Sequence, residues 1–177
     1  MRANVDEQTS YVIRDRRQVS IRHISPDDAW RLVDLYYRMS DTTRRLRFHS
    51  MRQDVPLKEI ERETKRLSDL DPAHQVALVA TVQEEGDERI VAVARLARSE
   101  NPDEAESAVV VRDDYQNQGL GTHMLKLLVK VARSMDIKYL TAWVMAENLH
   151  LLRTIQKSGL NVYAETRHGE TYIRVSL

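Results

Sequence analysis

The sequence predicts an α+β domain around a mixed, mostly antiparallel sheet that contains one parallel strand pair. Three observations carry this. Strand-like and helix-like periods alternate along 177 residues, enough chain for one domain with a substantial core. Three pairs of β-prone runs flank short turns, as hairpins do. A helix after Gly121 joins two apolar strands, 105–111 and 139–145, and such a crossover makes its strands parallel.

The elements follow in order. Residues 1–10 read as a loose polar arm, and 11–177 as the domain. "YVIRDRRQVSIRHI" (11–24) is a hairpin around a charged turn. Ser25-Pro26-Asp27-Asp28 starts a helix: Ser25 can cap, Pro26 suits the first position, and the aspartates favour the positive end of the dipole. Leu32, Tyr36 and Met39 then recur at helical spacing. "SDTTRRLRFHS" and "PLKEIERETKRLSDL" give one or two further helices, with a start at Pro56. "HQVALVATVQ" and "RIVAVARLARS" flank a turn containing Gly86, and "AESAVVV" (105–111) is the next strand. In the helix after Gly121, Met124, Leu128, Val131 and Met135 form the apolar face. Strand 139–145, a helix from Asn148 to Gly159 and a hairpin turning at His168-Gly169 complete the chain.

Composition excludes several functions. Lys plus Arg and Asp plus Glu each number 27, so no net field advertises nucleic acid or acidic lipid as a partner. Cysteine is absent, which removes thiol nucleophiles, disulfides and cysteine metal sites. The six histidines show no i, i+4 pair, so no metal is expected. The start of the chain lacks the apolar segment of a signal peptide, and no apolar run approaches the roughly 20 residues of a membrane span. A cytoplasmic location is expected, and association as a homodimer stays open. "RRLRF" (44–48) reads as a solvated helix face rather than an RNA patch, and Trp30 and Trp143 as core or interface aromatics.

The chemistry concentrates at "VVVRDDYQNQGLGT" (109–122). A strand that ends on glycines and launches a helix presents free N–H groups at the positive end of a dipole, a ready phosphate site. A tight turn alone would also use Gly119 and Gly121. The stretch is no Walker A loop, for no lysine follows the second glycine. It is no dinucleotide fingerprint either, because Met124 stands where the third glycine belongs.

Gln116-Asn117-Gln118-Gly119-Leu120-Gly121 fits Q/R-x-x-G-x-G/A, and Asn148 opens another helix about 25 residues later. The chain thereby resembles the GNAT superfamily of acyl-CoA-dependent N-acetyltransferases, in motif and in element order, and the resemblance implies α/β/α-like layering, with a twisted sheet, a splayed parallel strand pair and helices on both faces. "VSIRHISPDDA", "MSDTTRRLRFHS" and "AESAVVVR" further resemble stretches of the Pat-type protein lysine acetyltransferases. The resemblance implies acetyl-CoA as co-substrate, with its pantetheine arm along Val109, Val110 and Val111. It places the pyrophosphate on the main chain of Asn117, Gln118, Gly119, Leu120, Gly121 and Thr122, after Gln116, with the Thr122 hydroxyl as a further donor. Asn148 would reach back to the CoA arm, or act simply as a helix cap. Glu106 would be the general base that frees a lysine amine of its proton; its plain alternative is an exposed strand-end glutamate, and Glu104 stands in reserve. Strand N–H groups would stabilise the oxyanion. Ile155 occupies the place where many relatives carry an acid tyrosine, one that Pat-type sequences commonly lack too. The acceptors implied are protein lysines, an acyl-CoA synthetase among the candidates. A small-molecule amine acceptor and a non-catalytic acyl-CoA sensor are the alternatives.

Overall fold

The computed structural model describes residues 9–49, 54–156 and 159–177. The strands are β1 (Thr9–Val12), β2 (Gln18–His23), β3 (Gln75–Glu84), β4 (Asp87–Arg98), β5 (Glu104–Val111), β6 (Tyr139–Met145), β7 (Asn161–Arg167) and β8 (Glu170–Ser176). The helices are α1 (Ala29–Arg38), α2 (Asp41–Phe48), α3 (Leu57–Ser68), α4 (Leu120–Ser134) and α5 (Leu149–Gln156). One sheet runs in the order β1-β2-β3-β4-β5-β6-β8-β7, and every neighbouring pair is antiparallel except β5 with β6. The arm expected over residues 1–10 falls outside the described residues, apart from Thr9 and Ser10, which stand in β1.

Two hairpin turns follow from local chemistry. Glu85 and Gly86 both have positive φ (55° and 87°), as do His168 and Gly169 (50° and 84°). Two successive left-handed residues match the right-handed twist of the strands they join. Helix α4 begins after a left-handed Gly119 and ends on a left-handed Asp136. At that end Asp136 N–H reaches Arg133 O and Ile137 N–H reaches Ala132 O, the paired bonds of a Schellman motif.

The sheet carries a core on each face. On one, Met124, Leu128 and Val131 of α4 meet Ile21, Leu78, Leu96 and Ala105, all nearly or fully buried. On the other, Leu32 and Leu35 of α1, with Met39 just after it, meet Val79, Ile90 and Val93. Truncating a side chain such as Leu128 to alanine costs about 2–5 kcal/mol, so the face of α4 fixes where the loop before it sits. The helix start at Ser25 also does more than cap. Asp28, fully buried, takes the Ser25 N–H (2.9 Å), both terminal nitrogens of Arg22 (2.7 and 2.8 Å) and Arg31 (3.1 Å). Burial pushes its carboxyl up, but the bonds from Arg22 and Ser25 and the two guanidinium charges outweigh this and hold it below the usual range.

Candidate active site

Strand β5 pairs with β4 along its length, from Arg98↔Ala105 to Ala92↔Val111. Its partnership with β6 is brief, covering only Glu104↔Tyr139, Ala105↔Leu140 and Glu106↔Thr141. The fork is closed by Ser107 Oγ donating to Thr141 O (3.1 Å) and Thr141 Oγ1 to Ala105 O (3.4 Å). Beyond it, residues 107–111 have no ladder partner on the β6 side. That leaves a stretch of strand edge able to accept an extended ligand arm. A cleft of about 700 Å³ opens there, walled by Val109–Val111, Ala142–Val144, the glycine loop, and Leu151 and Ile155 of α5.

The glycine loop is held from several sides. Gly119 adopts φ +87°, and a Cβ there would stand 3.3 Å from the Tyr11 hydroxyl. The Tyr11 ring stacks on His123 of α4 (centroids 3.8 Å apart), Arg14 N–H donates to Gln118 O (3.1 Å), and Arg14 Nη1 to Asn117 O (3.3 Å). The first hairpin therefore braces the loop. Gln116 turns its amide inward, donating to Val111 O (2.9 Å) and Thr43 Oγ1 (3.1 Å). Asp113 accepts from Ser40 N–H (2.9 Å), Ser40 Oγ (2.6 Å) and Thr43 Oγ1 (2.7 Å). Burial raises its carboxyl, and these bonds more than reverse that, leaving it below the usual value. Arg112, 4% exposed, grips Glu84 (2.6 and 2.9 Å) and Asp114 (2.7 and 2.8 Å) at the start of the same loop.

Most of the expected residues meet at this cleft. Val109, Val110, Val111, Gln116, Asn117, Gly119, Gly121, Thr122 and Asn148 all line it, and so does Ile155. Gln118 and Leu120 do not. Leu120 is fully buried in the core and Gln118 offers its carbonyl to Arg14, so both serve the loop through the main chain. Asn148 Oδ1 accepts the Leu151 N–H (3.2 Å), which makes it the cap of α5 as well as a cleft residue. Glu106 lies outside the lining, exposed, with no hydrogen bond or ion pair among the described residues. Glu104 is committed elsewhere: Arg174 holds it at 2.8 Å and itself covers the Tyr139 ring.

Several features departed from the sequence reading or escaped it. Tyr11, Arg14 and the Ser40–Thr43–Asp113 knot come from segments far apart in the chain, and no local spacing announces them. Of "RRLRF", Arg44 pairs with Asp41 and Arg45 with Glu147, but Arg47 points inward and lines the cleft, so the solvated-face reading fails there. Helical period alone could not separate Arg47 from its neighbours. Trp30 and Trp143 are 47% and 55% exposed, so neither is a core residue, and Trp143 borders the cleft. Among the described residues no cluster of His, Asp or Glu could hold a metal ion, and no helix is long and apolar enough to cross a membrane.

This geometry has close counterparts. The GNAT domain of S. lividans PAT superposes with a TM-score of 0.81 over 96% of this chain and 97% of that one, at 26% identity. yncA from Salmonella typhimurium, solved with its cofactor acetyl-CoA, shares the fold at TM-score 0.61 and 18% identity, over 90% of this chain and 94% of its own. In sequence, Acetyltransferase PA5475 of Pseudomonas aeruginosa is 34% identical over 119 residues, which are 67% of this chain and 62% of that relative, somewhat under two thirds of its length. The profile of the acetyltransferase (GNAT) family matches residues 37–160, from the end of α1 to the turn after α5. The chain belongs to the GNAT acetyltransferase family.

Proposed function

We propose that this protein transfers an acetyl group from acetyl-CoA to the side-chain amine of lysine in protein substrates. The observation that carries the reading is the parting of β5 from β6 directly before the amides of residues 117–122. An open strand edge suits the pantetheine arm, and the loop that follows suits a pyrophosphate. The glycine at 119 and the outward-facing cleft fit that co-substrate, and lysine as acceptor is supported by the likeness to the S. lividans PAT domain. Glu106 takes a proton from the ammonium. The amine nitrogen then bonds to the thioester carbonyl carbon, the carbon–sulfur bond breaks, CoA leaves as thiolate, and the nitrogen sheds its second proton to water to give the neutral amide. With no cysteine in the chain to carry an acyl group, attack is direct within a ternary complex.

The test is CoA release from acetyl-CoA with a lysine peptide and with a purified acyl-CoA synthetase as acceptors. Release is expected with lysine, and Glu106→Gln should lower it about 10²–10⁴-fold while acetyl-CoA affinity holds. Unchanged turnover in that variant removes Glu106 as the base. Binding of acetyl-CoA without release to any amine favours a sensing module.

A further inference from the structure

A second hollow, of about 230 Å³, lies between helices α1–α3 and the sheet. Its walls are apolar over most of their extent: Leu32, Leu35, Met39, Ile60, Leu67 and Val93. Arg47 and Val110 line both this hollow and the transfer cleft, so the two spaces adjoin. Strand register places Arg95 beside Ala108, on the face of the sheet that also carries Val110 and Glu106.

Two cations face this apolar space with no carboxylate bonded to either among the described residues; Glu106 attracts Arg47 and Glu63 attracts Arg95 only through space. Arg47 rests over the Phe48 ring and makes no hydrogen bond or ion pair with its side chain among the described residues. Arg95 donates one bond, from Nη1 to Leu67 O (2.6 Å), and pairs with no acid among the described residues. The remaining charges on the wall are accounted for differently. Arg44 is matched by Asp41, exposed Glu63 is matched by Arg66, and Glu59 has an interaction of its own. Burial first, then the charges of Arg47 and Arg66, lower the Arg95 pKa to about 10 against the pull of Glu63. Burial likewise lowers that of Arg47, against the weaker pull of Glu106. Two guanidinium groups in such surroundings, with no acid bonded to either among the described residues, are a costly arrangement that an anion between them would relieve.

We infer that this hollow binds a monocarboxylate with an apolar body no larger than an amino-acid side chain, its carboxylate held between Arg47 and Arg95 and its body against Ile60, Leu67 and Val93. A planar guanidinium matches a carboxylate with two parallel bonds, and 230 Å³ falls below the roughly 300–1,000 Å³ of pockets for drug-sized ligands. Because Arg47 is shared with the cleft, the occupant sits within reach of the acceptor side of the transfer reaction. It is either the carboxylate of an acceptor or a free acid acting on the enzyme.

The test is calorimetric titration of the protein with 3-phenylpropanoate and with the neutral 3-phenylpropanamide. The carboxylate should bind at least about tenfold more tightly than the amide, since charged hydrogen bonds are lost with the latter. Arg95→Met, and independently Ile60→Phe, which fills the hollow without touching charge, should each weaken the carboxylate at least about tenfold. Both variants should keep the affinity for acetyl-CoA, which shows that they fold. Equal binding of acid and amide, or carboxylate binding indifferent to both variants, overturns the site. The titration involves neither an amine nor CoA release, so it stands apart from the proposed activity. Where acetyl transfer to an amine is measured, inhibition competitive with the amine assigns the carboxylate to the acceptor. A change in rate at constant KM for the amine assigns it to a free acid.

Discussion

The two glycines of the loop should respond oppositely to the same added methyl group. Gly119 sits at φ +87°, ψ −8°, where an L-residue is disfavoured by about 1–2 kcal/mol. Its Cβ would also meet the Tyr11 hydroxyl at 3.3 Å, and Tyr11 cannot swing aside without leaving its stack on His123. Together these make Gly119→Ala cost about 2 kcal/mol, or about 4–8 °C in Tm for a chain of this size. Gly121 is in the first turn of α4 with ordinary φ, and its Cβ would rest 3.4 Å from Val111 Cγ2, a normal van der Waals contact. Alanine is the better helix former by up to about 1 kcal/mol, so Gly121→Ala should hold or raise Tm. Yet its methyl projects toward Val111 in the cleft wall, so acetyl-CoA affinity should fall. Thermal unfolding by circular dichroism and acetyl-CoA titration read the two effects separately. A Gly119→Ala protein as stable as wild type, or a Gly121→Ala protein that melts well below it, refutes the reasoning.

Two further outcomes follow from the charged groups. Arg112→Met removes four charge-assisted bonds, but the Glu84 and Asp114 side chains keep 25% and 54% of their exposure and can rehydrate. The loss should therefore be about 2–3 kcal/mol rather than the 3–5 of a fully buried pair, measured by urea denaturation, with Arg112→Lys recovering only part. Acid should weaken the fold in two stages. Burial, then Lys130 and Lys126, lower the His123 pKa, so the unfolded chain binds a proton there first and stability begins to fall near pH 6.5. The Asp28, Glu84 and Asp113 carboxyls lie below their ordinary values, so their contribution is intact above about pH 4.5 and lost as pH drops through the folded pKa values. Denaturation at a series of pH values checks this, and His123→Gln should abolish the first stage alone; stability that rises from pH 6 to 3 contradicts it.

What the sequence disclosed was whatever depends on near neighbours in the chain. The β-hairpin turns at Gly86 and Gly169, the apolar face of α4, and the strand–glycine–helix passage at 109–122 are local patterns of period and backbone freedom, and each stands where the sequence reading put it. Asn148 was legible as a cap for the same reason. Asp28 was not legible as a hub, because its second partner on the sheet side, Arg22, is tied in turn to Glu88, 66 residues on. Arg47 looked like its helical neighbours until the sheet behind it was in place. The bracing of Gly119 by Tyr11 likewise joins residues more than 100 positions apart, which only the sheet order brings together.

The most direct measurement is amide NMR of the protein titrated with acetyl-CoA. The proposed placement of acetyl-CoA predicts that the largest shifts fall on residues 107–111, along the unpaired edge of β5, and on 117–122, at the turn into α4. Saturable binding whose shifts spare both stretches and gather elsewhere on the sheet would contradict it.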